Sequence, residues 1–357
     1  MYDYQSHLEE LDIQAFKTDL IQWFKEVHRN LPWRHDPTPY HVWVSEIMLQ
    51  QTKVDTVIPY YHRFMEKFPT PEALAKADEQ DVLKVWEGLG YYSRARNLQT
   101  AVREVVEEYN GKVPDNPKEL GKLKGVGPYT KGAILSIAFQ EPIPAVDGNV
   151  MRVISRILRI EEDIAKAKTR KIFEGIITEI ISQHDPSSFN QGLMELGALV
   201  CKPKNPVCHE CPLQVHCQAY KHDLQQTLPI KSTSKAQKTK RYAVLMIRND
   251  NGEILVQKRP EKGLLANLWQ FPMIPLDEMD FKNLIQWFRN EYGLELELDK
   301  KVTNIKHVFS HLVWQLEVYS ATVKGGHVVS DKGIFLDYGE LIKLPFPVSH
   351  QKIIQLI

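Results

Sequence analysis

Four cysteines, Cys201, Cys208, Cys211 and Cys217, crowd one short stretch, and the rest of the chain has none. Intervals of six, two and five residues bring four thiolates within reach of one centre, and the pair flanking His209-Glu210 is the tight claw that loops use for metals. Shared metal ligation in a reducing compartment explains this crowding better than disulfides do. The spacing alone fits zinc and iron-sulfur equally, because structural zinc sites usually combine two tight pairs and only one is present. A second stretch, Leu123-Lys124-Gly125-Val126-Gly127-Pro128-Tyr129, can grip an anion. Gly125 and Gly127 permit a tight turn, and the apolar positions from Ile134 to Phe139 begin a helix just beyond it, so the first amides are free to meet a phosphate. An ordinary turn between two packed helices would use the same residues.

Elements must position these groups, and the composition bounds them. At 357 residues the chain exceeds one typical core, so two domains are expected. The 45 basic and 45 acidic residues cancel, so any nucleic-acid contact must be local. Neither a signal sequence nor a long uncharged apolar run is seen, which points to the cytosol. Phe16 to Val27 repeats at helical spacing and runs into a loop carrying Leu31-Pro32-Trp33-Arg34. Val42 to Val54 is apolar around most of its circumference and is expected to be one buried helix. Further helices follow, and everything up to about Tyr220 is helical. Residues 225–240 carry Lys231, Lys235, Lys238 and Lys240 with no acidic residue, and are expected to be a linker. Beyond it, Tyr242 to Ile247 and Ile254 to Lys258 flank an Asn249-Asp250-Asn251-Gly252 turn, Val302 to Phe309, Leu312 to Val323 and Gly333 to Leu336 form further strands, and Phe281 to Tyr292 forms a helix. The expected organisation is an all-α region over 1–224, the linker, and an α+β domain over 241–357.

The cysteine spacing, the Gly125-Val126-Gly127 turn and the downstream Asp147 together resemble the helix-hairpin-helix DNA glycosylase superfamily, over about Phe16 to Cys217. That resemblance implies a 4Fe-4S cluster on the four cysteines. The branch similar to endonuclease III carries a lysine two residues past the second hairpin glycine and forms an imine with it. Tyr129 stands there instead, and a phenol cannot form an imine. The adenine glycosylases of the MutY family have tyrosine at this place. They also share Leu31-Pro32-Trp33-Arg34, Ser45-Glu46-Ile47-Met48-Leu49-Gln50-Gln51-Thr52, Gly90-Tyr91-Tyr92 and Val146-Asp147-Gly148-Asn149. The implied substrate is duplex DNA with adenine opposite 8-oxoguanine or guanine, and the implied enzyme is a mainly monofunctional glycosylase that releases the base by hydrolysis.

Breaking an N-glycosidic bond needs a proton on the leaving base and negative charge near the sugar, a task for two carboxyl groups in unlike surroundings. Glu46, desolvated among Val42, Val44, Ile47 and Met48, is expected to be the neutral acid for adenine N7. Asp147 is expected to cap the helix that follows and to stay ionised. Tyr129 and Asn149 would position these groups and the water. The base must leave the stack, with Gln51 and Tyr91 filling the gap, Leu49 and Thr52 beside them, and Trp33, Arg34 and Gln191 contacting the extruded adenine.

From about Lys240 the chain resembles the Nudix-fold domain of the same family. In Gln286-Trp287-Phe288-Arg289-Asn290-Glu291-Tyr292-Gly293-Leu294 only Glu291 survives of the acidic set that holds magnesium in Nudix hydrolases, so the domain should bind and not hydrolyse. Phe309-Ser310-His311 matches the family loop that reads 8-oxoguanine. The competing readings are an endonuclease III-like glycosylase and lyase, a non-catalytic iron-sulfur DNA-binding protein and a nucleotide pyrophosphatase. A monomer in the bacterial cytosol, associated with the nucleoid and with no membrane partner, completes the expectation.

Overall fold

The computed structural model describes residues 5–232, 237–277, 283–329 and 332–357. The chain forms two compact units, Met1–Ala75 with Thr100–Thr233 and Lys76–Gln99 with Ser234–Ile357. A contiguous division near residue 224 does not anticipate that Lys76–Gln99 groups with the second unit. Trp269 Nε1 donates to Gln80 Oε1 at 2.8 Å and the Phe346 N–H donates to Glu87 Oε1 at 2.7 Å, which ties this segment there.

Thirteen helices precede the sheet among the described residues: α1 (Ile13–Val27), α2 (Pro32–His35), α3 (Pro39–Leu49), α4 (Val54–Lys67), α5 (Pro71–Lys76), α6 (Glu79–Val85), α7 (Ser93–Tyr109), α8 (Pro117–Leu120), α9 (Pro128–Phe139), α10 (Gly148–Ile157), α11 (Ala167–Ile180), α12 (Pro186–Leu199) and α13 (Gln218–Lys221). Asp12 caps α1 by accepting from the Gln14 and Ala15 amides, and Phe16, Leu20 and Phe24 form its buried face. Val150, Val153, Ile154 and Ile157 of α10 meet Phe173, Ile176 and Ile177 of α11 and Leu193 and Leu196 of α12 in one core. Each such side chain contributes about 2 kcal/mol by leaving water, so packing holds these helices more than propensity does.

Two local expectations change. Leu31 to Arg34 is no open loop, because Pro32 at a first helical position starts the short α2. The helix expected from Val42 to Val54 stops at Leu49: Gln51 takes φ +57°, a left-handed conformation that no helix continues through, and α4 starts afresh at Val54. The linker is also shorter than expected. Leu228 is buried and its carbonyl accepts from Arg156 Nε at 2.9 Å, while the Ile230 carbonyl accepts the Ile164 N–H at 3.0 Å, which binds this stretch to the first unit. Lys238 and Lys240 already belong to a strand. Lys235, which precedes them, lies outside the described residues.

In the second unit the strands are β1 (Lys238–Arg248), β2 (Ile254–Lys258), β3 (Trp269–Gln270), β4 (Met273–Pro275), β5 (Leu294–Val308), β6 (Leu312–Gly326) and β7 (Ile334–Leu336), with α14 (Leu284–Tyr292) before β5 and α15 (Tyr338–Leu341) and α16 (Val348–Ile354) at the end. Residues 281 and 282, where the α14 pattern was expected to begin, lie outside the described residues. The order is β3-β2-β1-β6-β5, with β1 parallel to β6 and the other pairs antiparallel, β4 joining β1 and β7 joining β2. Alternation along β1 sends Ala243, Leu245 and Ile247 to a core with Phe288, and Val244 and Met246 to one with Trp314 and Phe346. Both faces of the sheet are therefore covered. No helix among the described residues is long and apolar enough to cross a membrane.

Candidate active site

Within the first unit, α2, α3, α9, α12, the start of α10 and the Gly125–Gly127 turn enclose a cavity of about 790 Å³. Its chemistry begins on α3. Every residue of α3 from Val42 to Met48 is buried, so the helix has no wet face on which Glu46 could rest, and only 6% of Glu46 is exposed. Tyr129, near the first turn of α9, donates its hydroxyl to Glu46 Oε2 at 2.5 Å and also approaches Met194 Sδ at 3.2 Å. Burial pushes the Glu46 carboxyl up to about 7; the hydrogen bond from Tyr129 and the charge of Arg34 oppose that rise, and Asp147 adds to it. Burial and the two carboxyls likewise lift the Tyr129 phenol well above its ordinary range.

Asp147 caps α10 by accepting the Val150 N–H at 2.7 Å, and Asn149 Nδ2 donates to its other oxygen at 2.9 Å. The expected cap is present, but burial outweighs its hydrogen bonds and moves the carboxyl above the usual aspartate range. Asn149 is itself fixed. Its Oδ1 accepts from Arg152 Nη2 at 2.8 Å, and the same arginine donates to the Gly197 and Cys201 carbonyls at 2.9 and 2.8 Å. A methyl group on Gly197 would stand 2.7 Å from Asn149 Cβ, so glycine lets α12 close on this turn.

Trp33, Arg34 and Gln191 also line the cavity. Trp33 is buried edge-on against Tyr61, with ring centres 5.5 Å apart. Arg34 Nε donates to Gln191 Oε1 at 3.0 Å. Leu49, Gln51, Thr52, Gly125 and Gly127 also line the cavity. Gly125 needs its φ of +82°, whereas a methyl on Gly127 would meet nothing within 4 Å, so packing inside the unit does not demand glycine there. Among the described residues no side chain caps the α9 N-terminus.

Tyr91, Phe309, Ser310 and His311 are not on this cavity; all four belong to the second unit. Phe309 to His311 form the turn between β5 and β6, where Phe309 lies edge-on to Trp314 at 4.9 Å and the His311 carbonyl accepts the Lys238 N–H. The Tyr91 and Ser310 hydroxyls are hydrogen-bonded at 2.7 Å. Gln51 and Tyr91 share one backbone feature: each is a non-glycine residue at positive φ, +57° and +48°. Such strain persists only where the surroundings enforce it, and it concentrates at working sites.

The four cysteines are free thiols lining a cavity of about 20 Å³ beside Val153, Ile157 and Leu196. Burial is the main cause pushing Cys211 up to about 12 and Cys217 up to about 11. Four thiolates gathered there require a cationic centre to compensate them, so the donor set fits a metal group. Arg156 reaches Cys201 Sγ at 3.2 Å. Among the described residues no three His, Cys, Asp or Glu groups are arranged as a ready metal-ion site.

A family model described as the HhH-GPD superfamily of base excision DNA repair proteins matches residues 44–179, and a NUDIX domain model matches 243–356. An adenine DNA glycosylase from Buchnera aphidicola (subsp. Schizaphis graminum) is 35% identical over 352 residues, covering 97% of this chain and 99% of the relative. The adenine DNA glycosylase of Rattus norvegicus is 35% identical over 369 residues, covering 88% and 72%. The chain belongs to the adenine DNA glycosylase family. Solved structures agree on the helical part of this family's architecture. A thermostable thymine-DNA glycosylase matches with a TM-score of 0.54 and 28% identity, over 59% of this chain and 97% of that one. A trapped covalent intermediate of endonuclease III with DNA matches with a TM-score of 0.51 and 26% identity, over 63% and 100%. The protein is thus a base-excision-repair DNA glycosylase with a helical HhH-GPD region and a Nudix-like sheet domain.

Sequence reasoning passed over Arg29, Arg152, Met194, Glu195 and Gly197. Glu195 carried a signal: an acid within Gly192-Leu193-Met194-Glu195-Leu196 sits in an apolar run, and a carboxylate buried there must have a partner.

Proposed function

We propose that this glycosylase hydrolyses the N-glycosidic bond of adenine opposite 8-oxoguanine or guanine in duplex DNA. The observation that carries the reading is one cavity joining a carboxyl that keeps its proton near neutrality, Glu46, to a second carboxyl at a helix start, Asp147.

The extruded adenine enters the cavity, which has room for a nucleoside. The two carboxyls repel, so one proton resides on the member with fewer donors. Asp147 accepts from an amide and from Asn149, whereas among the described residues Glu46 accepts only from Tyr129. Glu46 therefore gives its proton to N7. The C1′–N9 bond breaks with its electron pair moving to the base, and the Asp147 carboxylate stabilises the cationic sugar. Water then bonds to C1′ and its proton passes to a carboxylate, which restores the site. Without a lysine at position 129 no imine with the sugar forms there, and the product is an abasic site with no nick.

Gln51, with Leu49 and Thr52 beside it, and Tyr91 take the space vacated by the base, while the amides after Gly125 and Gly127 hold a phosphate. Cys201, Cys208, Cys211 and Cys217 would hold a 4Fe-4S cluster, which would cross-link the segment that follows α12. Ser310, whose hydroxyl turns as donor or acceptor, reads 8-oxoguanine between Phe309 and His311. The Nudix-like unit binds only: Glu291 is alone and pairs with Lys332 at 3.1 Å.

The test offers duplexes carrying adenine opposite 8-oxoguanine, thymine glycol opposite adenine, and free oxidised nucleotide. Free adenine alone is expected, lost in Asp147→Asn. Released thymine glycol, an enzyme-made nick on that duplex, or pyrophosphate would transfer the activity to another class.

A further inference from the structure

Glu195 lines the same cavity and has no role in the steps above. Only 1% of its side chain is exposed, yet it carries charge. Burial works against that charge, but hydrogen bonds from Arg29 and Arg34 outweigh it and hold the carboxyl at about 2. The Arg29 backbone N–H and Nε both donate to Oε1 at 2.9 Å, and its Nη2 donates to Oε2 at 2.8 Å. Arg34 adds Nη2 to Oε2 at 3.0 Å and Nη1 to Oε1 at 3.3 Å, and its Nη1 also donates to the Arg29 carbonyl at 2.9 Å. A carboxylate accepting from two forked guanidiniums leaves neither arginine free to rotate.

The consequence reaches Gln191, one turn before Glu195 on α12. A guanidinium only donates, so the bond from Arg34 Nε forces the Gln191 carbonyl oxygen toward Arg34 and turns its amino group toward Ser187 Oγ at 3.1 Å. The amide therefore cannot flip while Arg34 is held.

We propose that Glu195 is a positioning residue of the base pocket: it anchors Arg29 and Arg34 so that Arg34 keeps the Gln191 amide in one orientation against the extruded base. This rests on the reading of Gln191 as a base contact. Discrimination between bases depends on which amide atom faces which edge, so a fixed amide selects and a flipping one does not.

The experiment is a double-mutant cycle, read as single-turnover adenine release per active enzyme with substrate half-saturation measured separately, on Gln191→Ala, Glu195→Gln and their combination. Each single change is expected to slow release or weaken binding by about tenfold, and the combination to be no worse than either. Arg34→Lys, which retains the positive charge beside Glu195 but loses the Nε donor, is expected to match Gln191→Ala, and it decides the matter if Glu195→Gln does not fold. Fully multiplicative losses, or Arg34→Lys behaving as wild type while Gln191→Ala is slow, would overturn the proposal. Wild-type behaviour of Gln191→Ala would instead remove Gln191 from the base contacts, a distinct outcome that leaves Glu195 without an effect to transmit and sinks the proposal through its premise.

Discussion

The two units treat carboxyl groups in opposite ways. The helical unit buries Glu46, Glu195, Arg152 and Arg156, while among the described residues of the sheet unit no carboxylate is buried. There, Glu291 and Glu317 remain partly in water and face Lys332, Lys301 and Arg241. Burying a charge costs several kcal/mol unless it is paired, and a carboxyl kept neutral by burial is of use mainly to proton chemistry. The difference supports the proposal that catalysis belongs to the helical unit, while α14 of the sheet unit carries a single, partly solvated glutamate.

The comparison breaks most sharply at Asp147. Asp147→Asn should lower adenine release by about 10³-fold or more while thermal unfolding hardly moves, because an amide oxygen can still accept from Val150 but brings no charge to the sugar. Stability should respond most at Glu195. Glu195→Ala leaves Arg29 and Arg34 unpaired and should cost about 3–5 kcal/mol at pH 7, measured by denaturant unfolding. Glu195 has a depressed native value, so its contribution is present above the ordinary value of 4.5 and fades as pH falls toward about 2; the variant's deficit should shrink over that window.

Glu46 gives the opposite sign. Its native value of about 7 exceeds the ordinary 4.5, so between those values the folded protein keeps a proton that the unfolded chain releases, and stability falls as pH rises. The unfolding free energy of Glu46→Gln, measured by denaturant titration, should therefore improve relative to wild type from pH 4 to pH 8, by up to about 3 kcal/mol. The smallest effect belongs to the sheet unit: Glu291→Gln should change stability by about 1 kcal/mol or less and leave adenine release untouched. A large loss there would mean that the solitary glutamate still serves chemistry.

Much of this division was legible in residue order. Helical periodicity located α1 and the helical character of the chain up to about Tyr220, and the Asn249–Gly252 signal located the β1–β2 turn, because amphipathic patterns and turn chemistry are local. The short β3, β4, α15 and α16 were not anticipated, since pieces of two to seven residues carry no period. The end of α3 was hidden for another reason: Gln51 is an ordinary helix former, and only its surroundings force it into a left-handed conformation. At the site, Glu46, Tyr129, Asp147 and Asn149 could be named from motif and chemistry. Arg29, Arg152 and Gly197 could not, because what they do depends on contacts tens of residues away in the chain. Asp147 taught a further limit, since a helix cap is visible in sequence while the burial that opposes its ionisation is not.

The pH dependence of single-turnover adenine release, from a duplex with adenine opposite 8-oxoguanine, bears most directly on Glu46 as the acid. A neutral Glu46 predicts a rate that declines by about tenfold per unit above about pH 7 in the wild type, with that limb absent and the rate low throughout in Glu46→Gln. A wild-type rate that stays level to pH 9, or a Glu46→Gln enzyme that keeps the wild-type profile, would contradict it.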